Sequence, residues 1–403
     1  MAANKPYKII ISGGGTGGHI YPAIAIANAL KEIDSRTDIL FVGAEGKMEM
    51  QKVPQAGYKI IGLPIAGIQR KITASNLLFP FKLVNSLLKA RKVISDFKPD
   101  AAVGVGGYAS GPLLYATAGR KIPTLIQEQN SYAGLTNKWL AKNASKICVA
   151  YGGMEKFFPA EKIIFTGNPV RKDILQANQK RNAALEYFKL SENKPTLLVI
   201  GGSLGARTIN ETLKASLPTL SQANCQIIWQ TGKFYYESCK QAATGIANVH
   251  VYDFIAPMDL AYGIADVVIS RAGALSISEL CLAAKPAVLV PSPNVSEDHQ
   301  TKNAKALTKK NAAIMVLDKD ANETLVDTAL KLIFDPRGSA SLSENIAKLA
   351  KPDATNEIVN EIEKLLDNKP AGDTHAYKLS SNRPDAGGNS GRLQTVLIRS
   401  RYK

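Results

Sequence analysis

Cysteine is scarce in this chain. Its 403 residues hold four, Cys148, Cys225, Cys239 and Cys281, with no C-x-x-C pair and no cluster with the four histidines. That pattern excludes a disulfide framework and a structural zinc site, and predicts a reducing compartment. Long apolar runs are missing as well. No segment approaches the ~20 consecutive apolar residues of a spanning helix, and Ile9–Ile11 runs straight into glycines instead of into a leader's apolar core. The expectation is a protein made in the cytosol, soluble or peripheral to a membrane. Acidic residues are thin on the ground in one half only. Residues 1–171 carry 22 Lys/Arg against 10 Asp/Glu, residues 172–368 carry 21 against 22, and residues 369–403 carry 7 against 2. A basic excess confined to one domain and a tail points to a polyanionic partner. Between residues 70 and 92 there are six cations (Arg70, Lys71, Lys82, Lys89, Arg91, Lys92) and no anion. Such a run suits nucleic acid or an anionic membrane surface; the lipid surface is the expected partner, and nucleic acid is not.

What the chain does have is glycine at strand ends. Ile9-Ile10-Ile11-Ser12 leads into Gly13-Gly14-Gly15-Thr16-Gly17-Gly18-His19, and a helical pattern opens at Pro22 and runs through Ile24, Ala27, Leu30 and Ile33. Strand, glycine turn and helix form the first unit of a doubly wound α/β domain. Such a turn brings backbone N–H groups and the positive end of a helix to one point, which suits a phosphate. Gly13-x-Gly15-x-x-Gly18 also fits the dinucleotide fingerprint, but the acidic residue that should follow the second strand is lacking: Asp38 precedes Ile39–Val42, and Glu45 is a poor substitute. A tight turn with a bystander histidine remains an equal reading of this segment alone.

The design recurs. Ala101–Val105 ends in Gly106-Gly107-Tyr108, and Pro123–Ile126 runs into Gln127-Glu128-Gln129-Asn130, whose amides suit a hydroxyl-rich ligand or cap the following helix. Pro195–Ile200 ends in Gly201-Gly202-Ser203-Leu204-Gly205, repeating the opening half a chain later. Val267–Ser270 leads through Arg271 and Gly273 to a helix bearing Glu279, a carboxylate able to take both hydroxyls of a ribose. A helix-like run from Leu83 to Ile94 follows Leu77-Leu78-Phe79-Pro80-Phe81-Lys82, with Leu83, Val84, Leu87, Leu88 and Ile94 as its expected core stripe. The leftover apolar residues Leu77, Leu78, Phe79 and Phe81 read either as a buried loop or as a shallow insertion surface ringed by cations. The fold class is α/β, with two doubly wound Rossmann-like domains facing across a cleft. The expected boundaries are 1–168 and 169–350 for the two domains, 351–368 for a helix returning to the first, and 369–403 for a disordered basic tail.

In order along the chain, GGTGGH (Gly14–His19), Gly106-Gly107-Tyr108, Glu128-Gln129-Asn130, Gly167-Asn168-Pro169-Val170-Arg171, Gly201-Gly202-Ser203, Ser270–Leu275 through Glu279, and Asp298-His299-Gln300 together resemble the MurG-type N-acetylglucosaminyltransferases. These are two-domain GT-B enzymes of bacterial wall synthesis, and the resemblance covers residues 7 to about 366. It implies inverting transfer of GlcNAc from UDP-GlcNAc to the C4 hydroxyl of MurNAc in lipid I, giving lipid II, by a peripheral protein on the cytoplasmic face of the inner membrane. Other wall-synthesis or division proteins are implied as partners. Motif by motif, Thr16, Gly17 and Gly18 would approach the donor sugar and diphosphate, Asn130 and Gln300 the GlcNAc, and Arg171 and Ser203 the diphosphate. Ile255 would meet uracil through its backbone, and Ala274, Leu275, Ser276, Ile277, Ser278 and Glu279 would wrap the uridine, with Arg271 beside them. Gly106, Gly107 and Tyr108 would face the acceptor. Leu77, Leu78, Phe79, Phe81, Lys82, Lys89 and Arg91 would form the membrane side. Leu204 departs from the family, many of whose members carry glutamine there.

His19 is the expected general base, because its unperturbed pKa suits proton transfer near neutrality. Helix N-termini with Arg171 would absorb the diphosphate charge without a metal, since no Asp-x-Asp metal pair offers itself, and no cofactor is expected. Two other readings stand beside the transferase: a nucleotide-sugar epimerase of the same architecture, which would release UDP without an acceptor, and a non-catalytic membrane scaffold.

Overall fold

The computed structural model describes residues 6–65, 79–202 and 204–367. The apolar residues Leu77 and Leu78, the cations Arg70 and Lys71, Ser203 and the basic tail lie outside them.

Two parallel sheets organise the described residues. The first has seven strands: β1 (Lys8–Gly13), β2 (Asp38–Ala44), β3 (Lys59–Leu63), β4 (Ala101–Gly106), β5 (Thr124–Glu128), β6 (Lys146–Val149) and β7 (Ile163–Phe165), in spatial order β3-β2-β1-β4-β5-β6-β7. The second has six: β8 (Thr196–Ile200), β9 (Gln226–Gln230), β10 (Val249–Tyr252), β11 (Val267–Ser270), β12 (Ala287–Leu289) and β13 (Ile314–Met315), in order β10-β9-β8-β11-β12-β13. Helices cover both faces of each sheet, so β1, β4, β8 and β11 read as near-continuous apolar runs and are buried along almost their whole length.

Strand order reverses between β1 and β4 in the first sheet and between β8 and β11 in the second. Ligands of open α/β sheets bind outside the carboxyl ends of the strands at such switch points. The glycine turns Gly13–Gly15 and Gly106–Gly107 sit at the first switch point, and Gly201–Gly202 and the Arg271–Gly273 segment sit at the second. Topology alone therefore converts four sequence motifs, far apart in the chain, into two ligand-facing edges.

The helix Ala354–Asp367 lies on the helix Gly17–Ile33, and its Ile358, Val359, Ile362 and Leu366 enter the same core as Ile20, Ala23, Ile26 and Ala27. Three local expectations change. The first helix opens at Gly17, five residues before Pro22, because the glycine turn passes directly into helical backbone; Pro22 then sits in the second turn, where it has no N–H to offer Gly18's carbonyl. Asp38 is the first residue of β2 and does not precede it. The helix expected over Leu83–Ile94 runs from Phe79 to Phe97, and its core stripe is not the expected one. Ser86, Ala90, Val93 and Ile94 are buried, whereas Val84 and Leu88 are 56% and 58% exposed. A 3.6-residue period that keeps Leu83, Ala90, Ile94 and Phe97 inward turns Phe81, Val84 and Leu88 outward.

Candidate active site

At the first switch point Gly14 donates its N–H to the Gly106 carbonyl at 3.3 Å, which docks one glycine turn on the other. Two glycines are sterically required. Gly107 has φ +91°, and a Cβ there would stand 2.5 Å from the Gly14 carbonyl oxygen. Gly106 has φ +103°, and a Cβ there would stand 2.8 Å from Nε2 of His19. The imidazole thus lies directly over the second turn. Its Nδ1 is 3.1 Å from the Gly14 carbonyl, an acceptor, so Nδ1 carries the proton and donates, leaving Nε2 with its lone pair. Burial holds the His19 pKa below its ordinary value; the charge of Glu128 and the bond to Gly14 oppose that shift, and His299 adds to it.

Two carboxylates outside the expected set hold these loops. Glu49, 1% exposed, accepts from the N–H of Gly15 at 2.8 Å and of Ala44 at 2.9 Å, tying the β1 turn to the end of β2. Glu45, the acid nearest the place a dinucleotide fold would use, instead pairs with Lys89 at 2.7 Å. Glu128, 2% exposed, accepts from the N–H of Asn130 and Gly134 and from the amide of Asn137, and so shapes the loop after β5. Much of the amide run turns inward: Gln127 donates to Asn168 at 2.9 Å, and Gln129 donates to the Val105 carbonyl at 2.7 Å.

Asn130 meets the second domain. Its Oδ1 accepts from the amide of Asn303 at 3.1 Å, and the Asn303 Oδ1 accepts from the N–H of Ser131 at 2.9 Å. Asn168, on the crossing segment, donates to the Ser278 hydroxyl at 3.0 Å.

At the second switch point, the helix Ala274–Leu282 opens from Gly273 with Ala274, Leu275 and Ser276 half-buried in its first turn. Glu279 accepts a hydrogen bond from the Tyr262 hydroxyl at 3.0 Å and has Arg171 Nε 3.7 Å away. Burial raises its pKa, and Arg171 and the Tyr262 hydroxyl oppose the shift. Gln230 spans the floor, donating to the Gly202 carbonyl and accepting the N–H of Ile255 at 2.8 Å. Gln300 accepts from the N–H of Ser292 at 2.8 Å.

Several expected residues have other partners. Arg271 bonds Asp318 and the Val290 carbonyl. Asp318, which also accepts from Thr208, belongs to the chain's one Asp-x-Asp spacing, Asp318-Lys319-Asp320, so half of that pair is engaged in the fold. Ile277 is 2% exposed and packs in the core. Thr16 is exposed and caps the first helix through its carbonyl, which accepts from His19 and Ile20; Gly17 and Gly18 are that helix's first residues. Tyr108 is 46% exposed, and Phe81 is 75% exposed.

Glu49, Tyr262 and Asn303 are what sequence reasoning passed over, and Glu128 and Asn168 stood in its motifs without a role of their own. Asn303 stands three residues beyond Gln300, one helical turn on the same element, and that spacing was available as a signal. Glu49 had none, since a glutamate in a short helix after a strand looks like any solvated residue.

Residues 9–149 match the glycosyltransferase family 28 N-terminal domain, and residues 196–358 match the family's C-terminal domain. Two Rossmann-like domains with glycine turns at both switch points therefore define a GT-B glycosyltransferase. A curated protein of Parabacteroides distasonis, UDP-N-acetylglucosamine–N-acetylmuramyl-(pentapeptide) pyrophosphoryl-undecaprenol N-acetylglucosamine transferase, is 58% identical over 91% of this chain and 100% of its own length. The protein of that name from Bacteroides thetaiotaomicron is 59% identical over 90% of this chain and 99% of its own. The crystal structure of Acinetobacter baumannii MurG, 31% identical, superposes with a TM-score of 0.72 over 89% of this chain and all of that one. The chain belongs to this family of N-acetylglucosaminyltransferases. A UDP-GlcNAc 2-epimerase from Neisseria meningitidis, 14% identical with a TM-score of 0.62, shares the fold alone.

Proposed function

We propose that the chain transfers GlcNAc from UDP-GlcNAc to the C4 hydroxyl of MurNAc in lipid I, with His19 as the general base, inversion at the anomeric carbon and no metal or other cofactor. The transfer follows from family membership at 58% identity across the full length of a relative. The observation that carries the base assignment is the fixed tautomer: Nδ1 is occupied by the Gly14 carbonyl, so the free lone pair is on Nε2, above the Gly106–Gly107 turn. A base must be neutral to accept a proton, and burial favours the neutral ring. As Nε2 takes the acceptor hydroxyl's proton, the oxygen attacks the anomeric carbon from the face opposite the UDP leaving group, and the bond to the diphosphate breaks. The departing charge is met by Arg171 and by the backbone at the start of the helix Arg207–Ala215, after the Gly201–Gly205 turn, without a divalent ion. Glu279, backed by Tyr262, takes the ribose hydroxyls. Asn130 and Gln300 face the sugar.

The acceptor is lipid-linked, so the first domain works against the cytoplasmic membrane face. Among the described residues no helix is long and apolar enough to cross a bilayer. The helix Phe79–Phe97 offers instead Phe81, Val84 and Leu88 to solvent beside Lys82, Arg91 and Lys92, and on neighbouring helices Tyr115 stacks on a half-exposed Trp139 at 5.0 Å. An exposed apolar strip edged by cations suits an anionic lipid surface.

The test is radiolabelled GlcNAc transfer to a short-chain lipid I analogue, with and without chelator, by the wild type and by His19→Asn. We expect chelator-insensitive turnover whose acidic limb lies below the ordinary histidine pKa, because protonation removes the base. His19→Asn should lower kcat by roughly 10²–10⁴-fold and abolish that limb. A near-normal kcat in His19→Asn would remove the base assignment while leaving the transferase. UDP release without acceptor would favour epimerase chemistry, and no turnover at all a scaffold.

A further inference from the structure

We infer that the chain carries a second anion site, separate from the donor cleft, built to take a polyphosphate of nucleotide size. A cavity of about 780 Å³ lies where the two domains and both crossing segments meet. Its walls include Ser131 and Tyr151 from the first domain, Ser278 and Cys281 from the second, and Asn168 and Leu349 from the crossings. Lysines dominate its charge. Lys305, Lys309 and Lys310 come from the helix His299–Thr308 and the turn after it, and Lys348 and Lys351 from the return crossing. Lys156 and Lys302 complete the ring, and no Asp or Glu lines the cavity. Among the described residues none of the seven is in an ion pair, and seven cations around one concavity focus a positive field that a multiply charged anion would neutralise.

Two further observations point to a ligand. The Tyr151 hydroxyl and the Ser131 hydroxyl are buried and have no hydrogen-bond partner among the described residues, although both residues line the cavity. Buried hydroxyls left unpaired are costly, so a ligand that drew either one into the cavity wall to donate to a phosphate oxygen would relieve that cost. Two of the lysines are held at the rim by aromatic rings, Lys302 3.2 Å over Tyr132 and Lys351 4.2 Å over Phe165, which fixes part of the positive ring in place. The site is distinct from the donor cleft because the helix Ala274–Leu282 divides them. Its Ile277, Ser278, Cys281 and Leu282 line the cavity, whereas Glu279 faces Tyr262 and Arg171. An anion seated here would touch both domains at once and so would bias their relative position.

The experiment is calorimetric titration of the full chain with inorganic tripolyphosphate and, separately, with ATP. Both titrations are run in saturating UDP so that the donor cleft is filled. We expect binding by the wild type. The triple variant Lys305→Glu, Lys309→Glu, Lys310→Glu should bind about 10- to 100-fold more weakly, as the loss and reversal of three exposed charges implies. Tyr151→Phe, which preserves packing, should bind more weakly than wild type but more tightly than the triple variant. UDP affinity should be the same in all three proteins. Tighter binding of ATP would identify a nucleotide, and equal binding the phosphate chain alone. The inference is overturned if neither anion binds under saturating UDP, if the triple variant binds as the wild type does, or if the triple variant also loses UDP.

Discussion

Alanine at Gly106 should disable the base without touching the donor site. The added Cβ would lie 2.8 Å from His19 Nε2 and 2.6 Å from its Cδ2, against an ordinary non-bonded separation of about 3.5–4.0 Å between carbons. The backbone is held by the hydrogen bond from Gly14, so the imidazole must give way by roughly 1 Å. A misplacement of that size at a catalytic group costs on the order of 10²-fold in rate, or about 2.7 kcal/mol of barrier. The substitution also places an L-residue at φ +103°, where backbone strain of about 1–3 kcal/mol lowers stability. Gly57 separates the two effects: it has φ +87° and nothing within 4 Å of an added Cβ, so Gly57→Ala carries the strain without the collision. Steady-state transfer to the lipid I analogue should show kcat reduced in Gly106→Ala and unchanged in Gly57→Ala, with both melting temperatures lowered. Calorimetry should give wild-type UDP-GlcNAc affinity in each. A Gly106→Ala enzyme with normal kcat, losing only stability, would refute the claim that the ring's position over this turn matters to the reaction.

Two other expectations bear on the donor and on the membrane. Glu279→Ala should raise the Kd for UDP-GlcNAc by about 10- to 150-fold, the loss of hydrogen bonds to a charged group worth about 1.5–3 kcal/mol, whereas Tyr262→Phe, which keeps the carboxylate, should do less; unchanged donor affinity in calorimetry would place the ribose elsewhere. Sedimentation with anionic vesicles should fall with salt, as the Debye length shrinks from about 10 Å at 0.1 M to about 3 Å at 1 M, and should fall further in Lys82→Glu and Arg91→Glu than in Lys89→Glu, because Lys89 already pairs with Glu45. Equal binding by all the variants would return that strip to an ordinary solvated helix face.

Where the sequence was legible, strand and turn coincide with a single physical demand. Ile9–Ile11 and Leu197–Ile200 had to be buried strands, and the glycines after them had to be turns, because no other conformation buries the one and tolerates the other. The repeat of that unit fixes two parallel sheets, and the sheets' order then brings the motifs together. The helix Phe79–Phe97 was harder, since its residues are apolar on more than one face. Leu83 and Val84 are equivalent by composition, and only the packing of Ala90 and Ile94 against the sheet decides which turns inward. Buried polar hubs were illegible for a different reason. Glu49 accepts the N–H of Gly15 from a distant loop and Glu128 the N–H groups of its own loop, and nothing in a carboxylate's neighbourhood records which N–H will be left without a partner.

The side-chain bonds that cross directly between the domains are made by amides and hydroxyls. Asn303 with Asn130, Asn303 with Ser131, and Asn168 with Ser278 are neutral hydrogen bonds, and the ion pair of Lys172 with Glu32 lies in solvent. Each neutral bond contributes a net ~0.5–1.5 kcal/mol, and an exposed ion pair ~0–1 kcal/mol. Separating the domains along this line therefore costs only a few such increments, well within reach of the affinity of a substrate that prefers one arrangement. A buried ion pair in the same place would have left an unpaired charge on opening, at several kcal/mol. Amides carry a second advantage. On the proposed role of Asn130, a sugar bearing hydroxyls and an acetamido group would offer it the kind of donor and acceptor that Asn303 offers it in this arrangement. Neutral amides can then exchange a protein contact for a substrate contact at less cost than a buried charge could.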